Sequence, residues 1–283
     1  MSVNLENNYS TRTRDWYVNI VLYLLPLLFL DQYGSMFTIS AIAFTNSLSA
    51  YRDAEVPYSI PQKGKKSQAM IAGALFCIVF VFSALSYYGK LDDGLRINGV
   101  VLLPTYSILI YYIVPILWFL INDRDTLTAF FRIDVKLVKY IGMVCLPILI
   151  INLIMAWYFM EYDKPKSYFV QNVFQFVFTA ALAEELFFRG FVYNVLKKFW
   201  NMKAAMLVSA VIFSCWHLRL VVPLFESINL SYAANLFAIF MLGLVNVIMY
   251  EKSKSLIPAI VFHALINGAF KDALCLLKVM IMG

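Results

Sequence analysis

The chain has 283 residues, of which 62% are hydrophobic and 14% charged, and its 23 Lys and Arg against 17 Asp and Glu give a formal net charge of +6. Soluble domains average roughly 45–50% apolar and about 25% charged residues, so the composition excludes an ordinary soluble domain. Apolar segments near the roughly 20 residues needed to cross hydrocarbon recur along the chain and predict a multi-pass membrane protein.

The predicted elements are membrane-spanning helices with short polar segments between them. The first hydrophobic region, residues 16–50, is broken from Asp31 to Ser35, which predicts either two short spans or one span and a re-entrant piece. Seven more spans follow: Gln68 to Tyr88, Asn98 to Ile121, Leu137 to Met160, Phe169 to Leu196, Ala204 to Leu224, Tyr232 to Tyr250 and Leu256 to Phe270. The predicted fold is all-α, a polytopic transmembrane helical bundle of eight or nine spans.

The chain forms one integral membrane domain with two unequal parts. Residues 1–160 supply amino-terminal membrane helices without a readable motif, and residues 161–283 contain every motif described below. No linker or low-complexity stretch separates them, so a single membrane domain is the simplest interpretation.

Basic residues indicate how the bundle is oriented. With nine spans and a cytoplasmic amino terminus, most Lys and Arg fall in cytoplasmic segments, as the positive-inside rule requires. The positive charge is therefore a topology signal, and it does not indicate a nucleic-acid partner. The polar amino terminus lacks the pattern of a cleavable signal or transit peptide, and compact loops favour a bacterial plasma membrane.

The four cysteines are predicted to be small core residues. Cys77, Cys145, Cys215 and Cys275 lie in or beside apolar segments at wide, irregular spacing. This spacing fits neither a disulfide framework nor a paired-cysteine metal site.

The first motif lies past the middle of the span from Phe169 to Leu196. Glu185 and Arg189 are four residues apart, which places them on one helical face and predicts an ion pair. Glu184 is turned about 100° away and is predicted to meet a neighbouring helix, where it could act as a general base. The alternative is that the three residues form only a polar clamp between helices.

The only two histidines of the chain supply the other two motifs. His217 follows Phe213 by four residues, and His263 precedes Asn267 by four. His263 and Asn267 therefore share a helical face and form two adjacent groups able to hold a carbonyl oxygen as it becomes negative. A single membrane histidine is commonly a helix-to-helix hydrogen bond, but ionisable residues gathered on three of the last four spans indicate a functional site.

Together these motifs resemble the intramembrane endopeptidase family of the CaaX prenyl proteases and the bacteriocin-processing and immunity proteins, called CPBP or Abi. That family has Glu-Glu-x-x-x-Arg, Phe-x-x-x-His and His-x-x-x-Asn in this order. Here they read Glu184-Glu185-Leu-Phe-Phe-Arg189, Phe213-Ser-Cys-Trp-His217 and His263-Ala-Leu-Ile-Asn267. The resemblance covers about residues 169–269.

The resemblance implies a hydrolase of the CaaX protease type and assigns a role to each motif residue. Glu184 and His217 would activate a water molecule, and His263 and Asn267 would stabilise the oxyanion. Glu185 and Arg189 would hold the architecture and tune the charge of Glu184. The partners implied are membrane lipid and a peptide or membrane-protein substrate.

The residues leave the cofactor open. Glu184, His217 and His263 could supply three ligands of a catalytic zinc ion, and the family is widely labelled as metalloprotease. The familiar His-Glu-x-x-His zinc pattern is absent, and a glutamate and a histidine acting directly on water explain the same residues. We favour the metal-free interpretation.

Two other classes of protein share some of these features. A non-catalytic membrane regulator or bacteriocin-immunity protein would keep the fold, although the intact motifs favour an enzyme. A secondary transporter would use the buried charges as a proton relay, but such proteins often contain two similar halves, and this sequence shows no internal repeat.

Overall fold

The computed structural model describes residues 66–87, 94–97, 100–133, 135–158, 164–218, 221–222 and 230–282. The predicted spans within residues 16–50 and the boundary placed after residue 160 lie outside these residues.

The described chain is helical apart from one short hairpin. Its main helices are α1 (Lys66–Tyr87), α2 (Thr105–Asn122), α3 (Arg124–Ala129), α4 (Val135–Tyr158), α5 (166–199), α6 (Met202–Cys215), α7 (Leu230–Ser253), α8 (Ile257–Ile266) and α9 (Ala269–Met282). The hairpin pairs β1 (Gly94–Ile97) with β2 (Val100–Pro104) in antiparallel orientation. The predicted helical class is confirmed, with this hairpin as the exception.

The helix α5 changes its hydrogen-bonding pattern along its length. It is α-helical over Lys166–Phe174, π-helical over Gln175–Leu182, α-helical over Ala183–Glu185, π-helical over Leu186–Tyr193 and α-helical over Asn194–Phe199. The residues at its internal junctions keep right-handed helical angles, so the helix is continuous. Because π-helical turns are rare and occur frequently at functional sites, the two π-helical segments indicate that a functional site lies on α5.

The centre of the bundle is built around α5. Its first π-helical segment packs against α8, its second packs against α2 and α6, and α6 packs along α7. The contact of α6 with α7 depends on Gly243, where an added Cβ would lie 3.0 Å from Phe213 Cδ1 and 3.3 Å from Ala210 Cα. Small residues that let helix backbones approach are typical of packing within membranes.

Length, composition and surface support an integral membrane protein. Lys66–Leu85 and Tyr232–Ser253 are each long and apolar enough to cross a membrane, and two bent helix pairs raise the number to four among the described residues. Large apolar side chains face outwards, among them Met70 at 76% and Trp157 at 66% exposure. Extensive exposed apolar surface marks contact with lipid or a partner. The predicted total of eight or nine spans is not confirmed.

Two predicted spans end or begin elsewhere. The span from Asn98 to Ile121 is wrong at its start, because residues 100–104 form β2 and the helix begins at Thr105; the paired valines before it favour a strand. The span from Ala204 to Leu224 is wrong at its end, because α6 stops at Cys215 with Trp216 as its C-cap. His217 therefore follows the helix end.

The last predicted span, Leu256 to Phe270, is broken. The helix α8 stops at Ile266, Asn267 and Gly268 form a turn, and α9 leaves at 62°. Gly268 has a φ of 94°, a conformation that side-chain-bearing residues rarely adopt. Hydropathy does not register such a turn, so the sequence predicted one uninterrupted helix.

Candidate active site

Glu184 and Glu185 occupy the single α-helical turn of α5 that lies between its two π-helical segments. The first of these segments is bonded to α2, because the Tyr112 hydroxyl donates to the Phe178 carbonyl. All eight residues of the second segment, Leu186–Tyr193, are buried. Glu185 is thus followed by a fully buried stretch of the helix, while the Glu184 side chain is 24% exposed.

The Glu185 carboxylate is the hub of the site and is fully buried. Its Oε1 lies 2.7 Å from Asn246 Nδ2 and 2.7 Å from His263 Nδ1. Its Oε2 lies 3.0 Å from Arg189 Nε, an ion-pair contact without hydrogen-bond geometry. One carboxylate therefore joins α5, α7 and α8.

The Arg189 guanidinium is 1% exposed and has three kinds of partner. Besides the Glu185 contact, its Nη2 donates to the Gly243 carbonyl at 3.2 Å. The guanidinium also lies 4.2 Å from the centre of the Phe213 ring, within range of a cation–π interaction. The charge is thus held by a carboxylate, a backbone carbonyl and an aromatic face.

The His263 ring lies between the two glutamates. Nδ1 bonds to Glu185, and Nε2 lies 3.9 Å from Glu184 Oε2. A carboxylate only accepts hydrogen bonds, so Nδ1 carries a hydrogen when Glu185 is ionised. The α-helical spacing predicted that the two carboxylates would diverge, and in the structure they approach opposite nitrogens of one imidazole.

Phe213 places His217 beside this group. The Phe213 ring makes edge-on contacts with both imidazoles, at centroid distances of 5.2 Å to His217 and 6.0 Å to His263. His217 Nδ1 lies 3.0 Å from the Phe213 carbonyl. Since a carbonyl only accepts, a neutral His217 carries its hydrogen on Nδ1, which makes Nε2 the acceptor nitrogen of the ring.

Asn267 stands one turn beyond His263. It caps α8, and its backbone N–H donates to the His263 carbonyl at 3.0 Å. Direct contacts therefore gather Glu184, Glu185, Arg189 and His263, and Phe213 brings in His217. Asn267 is linked to this group through its backbone bond to His263.

The comparisons match this group to a known family. Residues 166–269 match the family model described as Rce1-like, Type II CAAX prenyl endopeptidase. The motif-bearing segment of the chain is therefore similar to this family, and it is called the Rce1-like segment below. The resemblance read from the three motifs is confirmed, and the match indicates intramembrane endopeptidase activity. Comparison with curated proteins and with solved structures gives no match.

All six predicted site residues fall inside the Rce1-like segment, but two further residues of that segment were missed. Asn246 is fully buried and bonds to Glu185, and Gly243 supplies the carbonyl that accepts from Arg189. An amide within the apolar run that follows Asn235 in α7 is a signal that could have identified Asn246. Gly243 gave no such signal, because its role depends on a backbone atom.

The described residues do not form a ready metal site. Among them, no group of three His, Cys, Asp or Glu side chains is arranged to hold a metal ion. Within the Rce1-like segment, His263 Nδ1 is bonded to Glu185 and His217 Nδ1 to a backbone carbonyl. These bonds occupy Nδ1 alone and leave Nε2 of both rings, as in histidines that bind metals through the second nitrogen. No step below is routed through zinc.

The cysteines take no part in the site. No disulfide joins the four of them, and Cys77 and Cys215 are exposed while Cys145 and Cys275 are buried. Cys215 ends α6 two residues before His217, which makes it a useful control position.

Proposed function

We propose that the protein is an intramembrane endopeptidase that hydrolyses a peptide bond of a membrane-associated or lipid-anchored peptide or protein. The observation that carries the proposal is the placement of Glu184 and Glu185 on the two nitrogens of His263, inside an Rce1-like segment. Hydrolysis within a membrane needs a polar pocket of this kind, because hydrocarbon supplies neither water nor charge stabilisation.

In the proposed reaction, Glu184 and His217 activate the water. The side chain of Glu184 is 24% exposed, and its buried Oε2 has no hydrogen-bond partner among the described residues. The water oxygen forms a bond to the scissile carbonyl carbon while its proton passes to Glu184 or His217. That proton is then given to the amide nitrogen as the carbon–nitrogen bond breaks, which releases a carboxyl end and an amine end.

His263 and Asn267 stabilise the oxyanion in this proposal. This role requires a hydrogen on both ring nitrogens of His263. Nδ1–H then serves Glu185, and Nε2–H remains to donate to the oxyanion together with the Asn267 amide. Such preorganised donors commonly supply the largest share of catalysis in acyl transfer.

Glu185 and Arg189 act on the architecture. Their ion pair neutralises the hub carboxylate, and the hub orients His263 through Nδ1. Neither side chain is proposed to touch the substrate. Loss of either one should therefore reduce the amount of folded protein as well as activity.

The proposed setting is a bacterial plasma membrane, with the amino terminus in the cytoplasm and lipid and a peptide or membrane protein as partners. The clustering of basic residues in alternate loops supports this orientation. Reporter fusions after Ser253 and within residues 159–163 test it, since the proposal places these two points on opposite sides of the membrane.

The deciding experiment compares peptide ends in membranes and medium of cells that express the unaltered protein, Glu184→Gln or the control Cys215→Ala at matched levels. We expect peptide ends that depend on Glu184 and persist in Cys215→Ala, and we expect His217→Ala and His263→Ala to lack them. The proposed reaction needs no metal, so the purified protein should keep cleaving after dialysis against a chelator. Identical peptide profiles for the unaltered protein and Glu184→Gln would instead favour a non-catalytic membrane regulator or immunity protein.

A further inference from the structure

The break between α8 and α9 lies directly at a proposed catalytic residue. Asn267 and Gly268 form the turn, and the two helices diverge by 62°. Irregular backbone at membrane depth is tolerated where other parts of the protein satisfy its polar groups. The position of the Asn267 amide therefore depends on what holds this turn.

A residue from the part of the chain without motifs holds it. Asn152, in the carboxyl-terminal half of α4, is 7% exposed. Its Nδ2 donates to the Leu265 carbonyl at 3.2 Å and to the Ile148 carbonyl at 2.8 Å, and its Oδ1 accepts from the Lys271 backbone N–H at 3.3 Å. The carboxamide thus bonds to the backbone on both sides of Asn267.

The chemistry of this contact is specific to an amide. The Lys271 N–H needs an acceptor, which the Asn152 Oδ1 supplies. Nδ2 adds a second donor to the Leu265 carbonyl, which already accepts from the Gly268 N–H at 3.1 Å. An aspartate would keep the acceptor and lose the donor, and a leucine would lose both. Leaving a backbone N–H without an acceptor is costly, so the turn should loosen when the amide is removed.

We propose that Asn152 is a positioning residue for the oxyanion site, acting by fixing the turn that holds Asn267. This inference rests on the proposed function, because it assigns a consequence for the same reaction. It extends the site to α4, outside the Rce1-like segment.

Asn172 offers a matched control. It lies on α5, and its Nδ2 donates to Asp272 Oδ2 at 2.9 Å. Asn172→Leu removes one hydrogen bond that anchors α9, but it leaves the backbone bonds around Asn267 intact. A general weakening of α9 should affect both variants alike, whereas the proposed role of Asn152 predicts that they differ.

The test uses the full-length protein and two readouts. Hydrogen–deuterium exchange in detergent follows the amides of residues 266–275, and the peptide-end comparison follows activity per folded protein in cells. We expect Asn152→Leu to speed exchange in this segment at least tenfold and to lower the Glu184-dependent peptide ends at least tenfold. Asn172→Leu should keep both near the values of the unaltered protein.

Three results would overturn the proposal. Unchanged exchange in Asn152→Leu would show that the amide does not hold the turn, whatever the activity. Faster exchange with undiminished Glu184-dependent peptide ends would show that the turn does not position a catalytic group, while the proposed function stands. Equal losses of activity in both asparagine variants at equal thermal stability would reduce Asn152 to a structural role. If no peptide end depends on Glu184, the proposed function fails first and takes this inference with it.

Discussion

Removing the charge of Glu185 tests the buried hub most directly. The Glu185 side chain is fully buried, and Arg189 beside it is 1% exposed. In Glu185→Gln, an amide oxygen can still accept from Asn246 and His263, but the guanidinium loses the carboxylate in contact with it. It keeps the Gly243 carbonyl, the Phe213 ring and the more distant charge of Glu184. Breaking a buried ion pair by removing one partner costs about 3–5 kcal/mol, and the free energy of unfolding should fall by that amount.

A second substitution separates the loss of a charge from the loss of a contact. Arg189→Met should also cost about 3–5 kcal/mol, because it leaves the Glu185 carboxylate buried without its cation. The double variant leaves neither charge uncompensated, so we expect its cost to be close to that of one single variant. The coupling free energy should then be about 3 kcal/mol, at the upper end for residues in contact.

The assay is reversible unfolding of the purified proteins in mixed micelles, with the folded fraction followed as the denaturing detergent is increased. Glu184→Gln is the matched control, since its carboxylate lies 3.9 Å from His263 and forms no ion pair with Arg189 in the structure. If the two single-variant costs add to within about 0.5 kcal/mol in the double variant, the hub is not held by a buried charge pair, and the reasoning is refuted.

Two further predictions concern the residues that sequence analysis missed. Asn246→Leu should lower the free energy of unfolding by about 1–3 kcal/mol, because Glu185 loses a buried donor. Asn235→Leu in the same helix removes no donor from Glu185, and Oδ1 of either asparagine lacks a hydrogen-bond partner among the described residues. The Asn235 variant should therefore cost less in the same unfolding assay, and a reversed order would count against the hub. Gly243→Ala should lower the free energy of unfolding by about 1–3 kcal/mol through overpacking, since the new Cβ would lie 3.0 Å from Phe213 Cδ1. In the control Gly142→Ala, the new Cβ meets nothing within 4 Å and should not destabilise the protein. Equal effects of the two variants in thermal unfolding would contradict the close approach of α6 and α7.

The sequence predicted the helical class and the membership of the site because both depend on residue type and order. Apolar length predicted helices near their observed bounds for α1 and α4. Ionisable residues in apolar segments identified Glu184 and His263 as neighbours in function, although no contact between them could be derived from spacing alone. The three motifs therefore drew attention to side chains that lie near one another in the structure, and they left the mutual arrangement open.

What the sequence could not predict depends on backbone geometry. A helical wheel drawn at the α-helical angle separates Glu184 from Glu185, yet α5 is π-helical on both sides of them and both approach His263. Gly268 adopts a positive φ that hydropathy cannot register. Asn152 satisfies backbone groups more than a hundred positions away, and no local pattern marks such a contact.

The two helices that support the histidines are short, and this has a consequence for the lipid around them. The helix α6 has 14 residues and α8 has 10, which correspond to about 21 and 15 Å against roughly 30 Å of hydrocarbon. Helices that are too short for the bilayer are accommodated by local thinning of the bilayer or by snorkelling of flanking residues, at fractions of a kcal/mol per Å of mismatch. Acyl-chain length is thus coupled to the conformation of α6 and α8. Rates of peptide hydrolysis measured in membranes of different thickness are therefore not directly comparable.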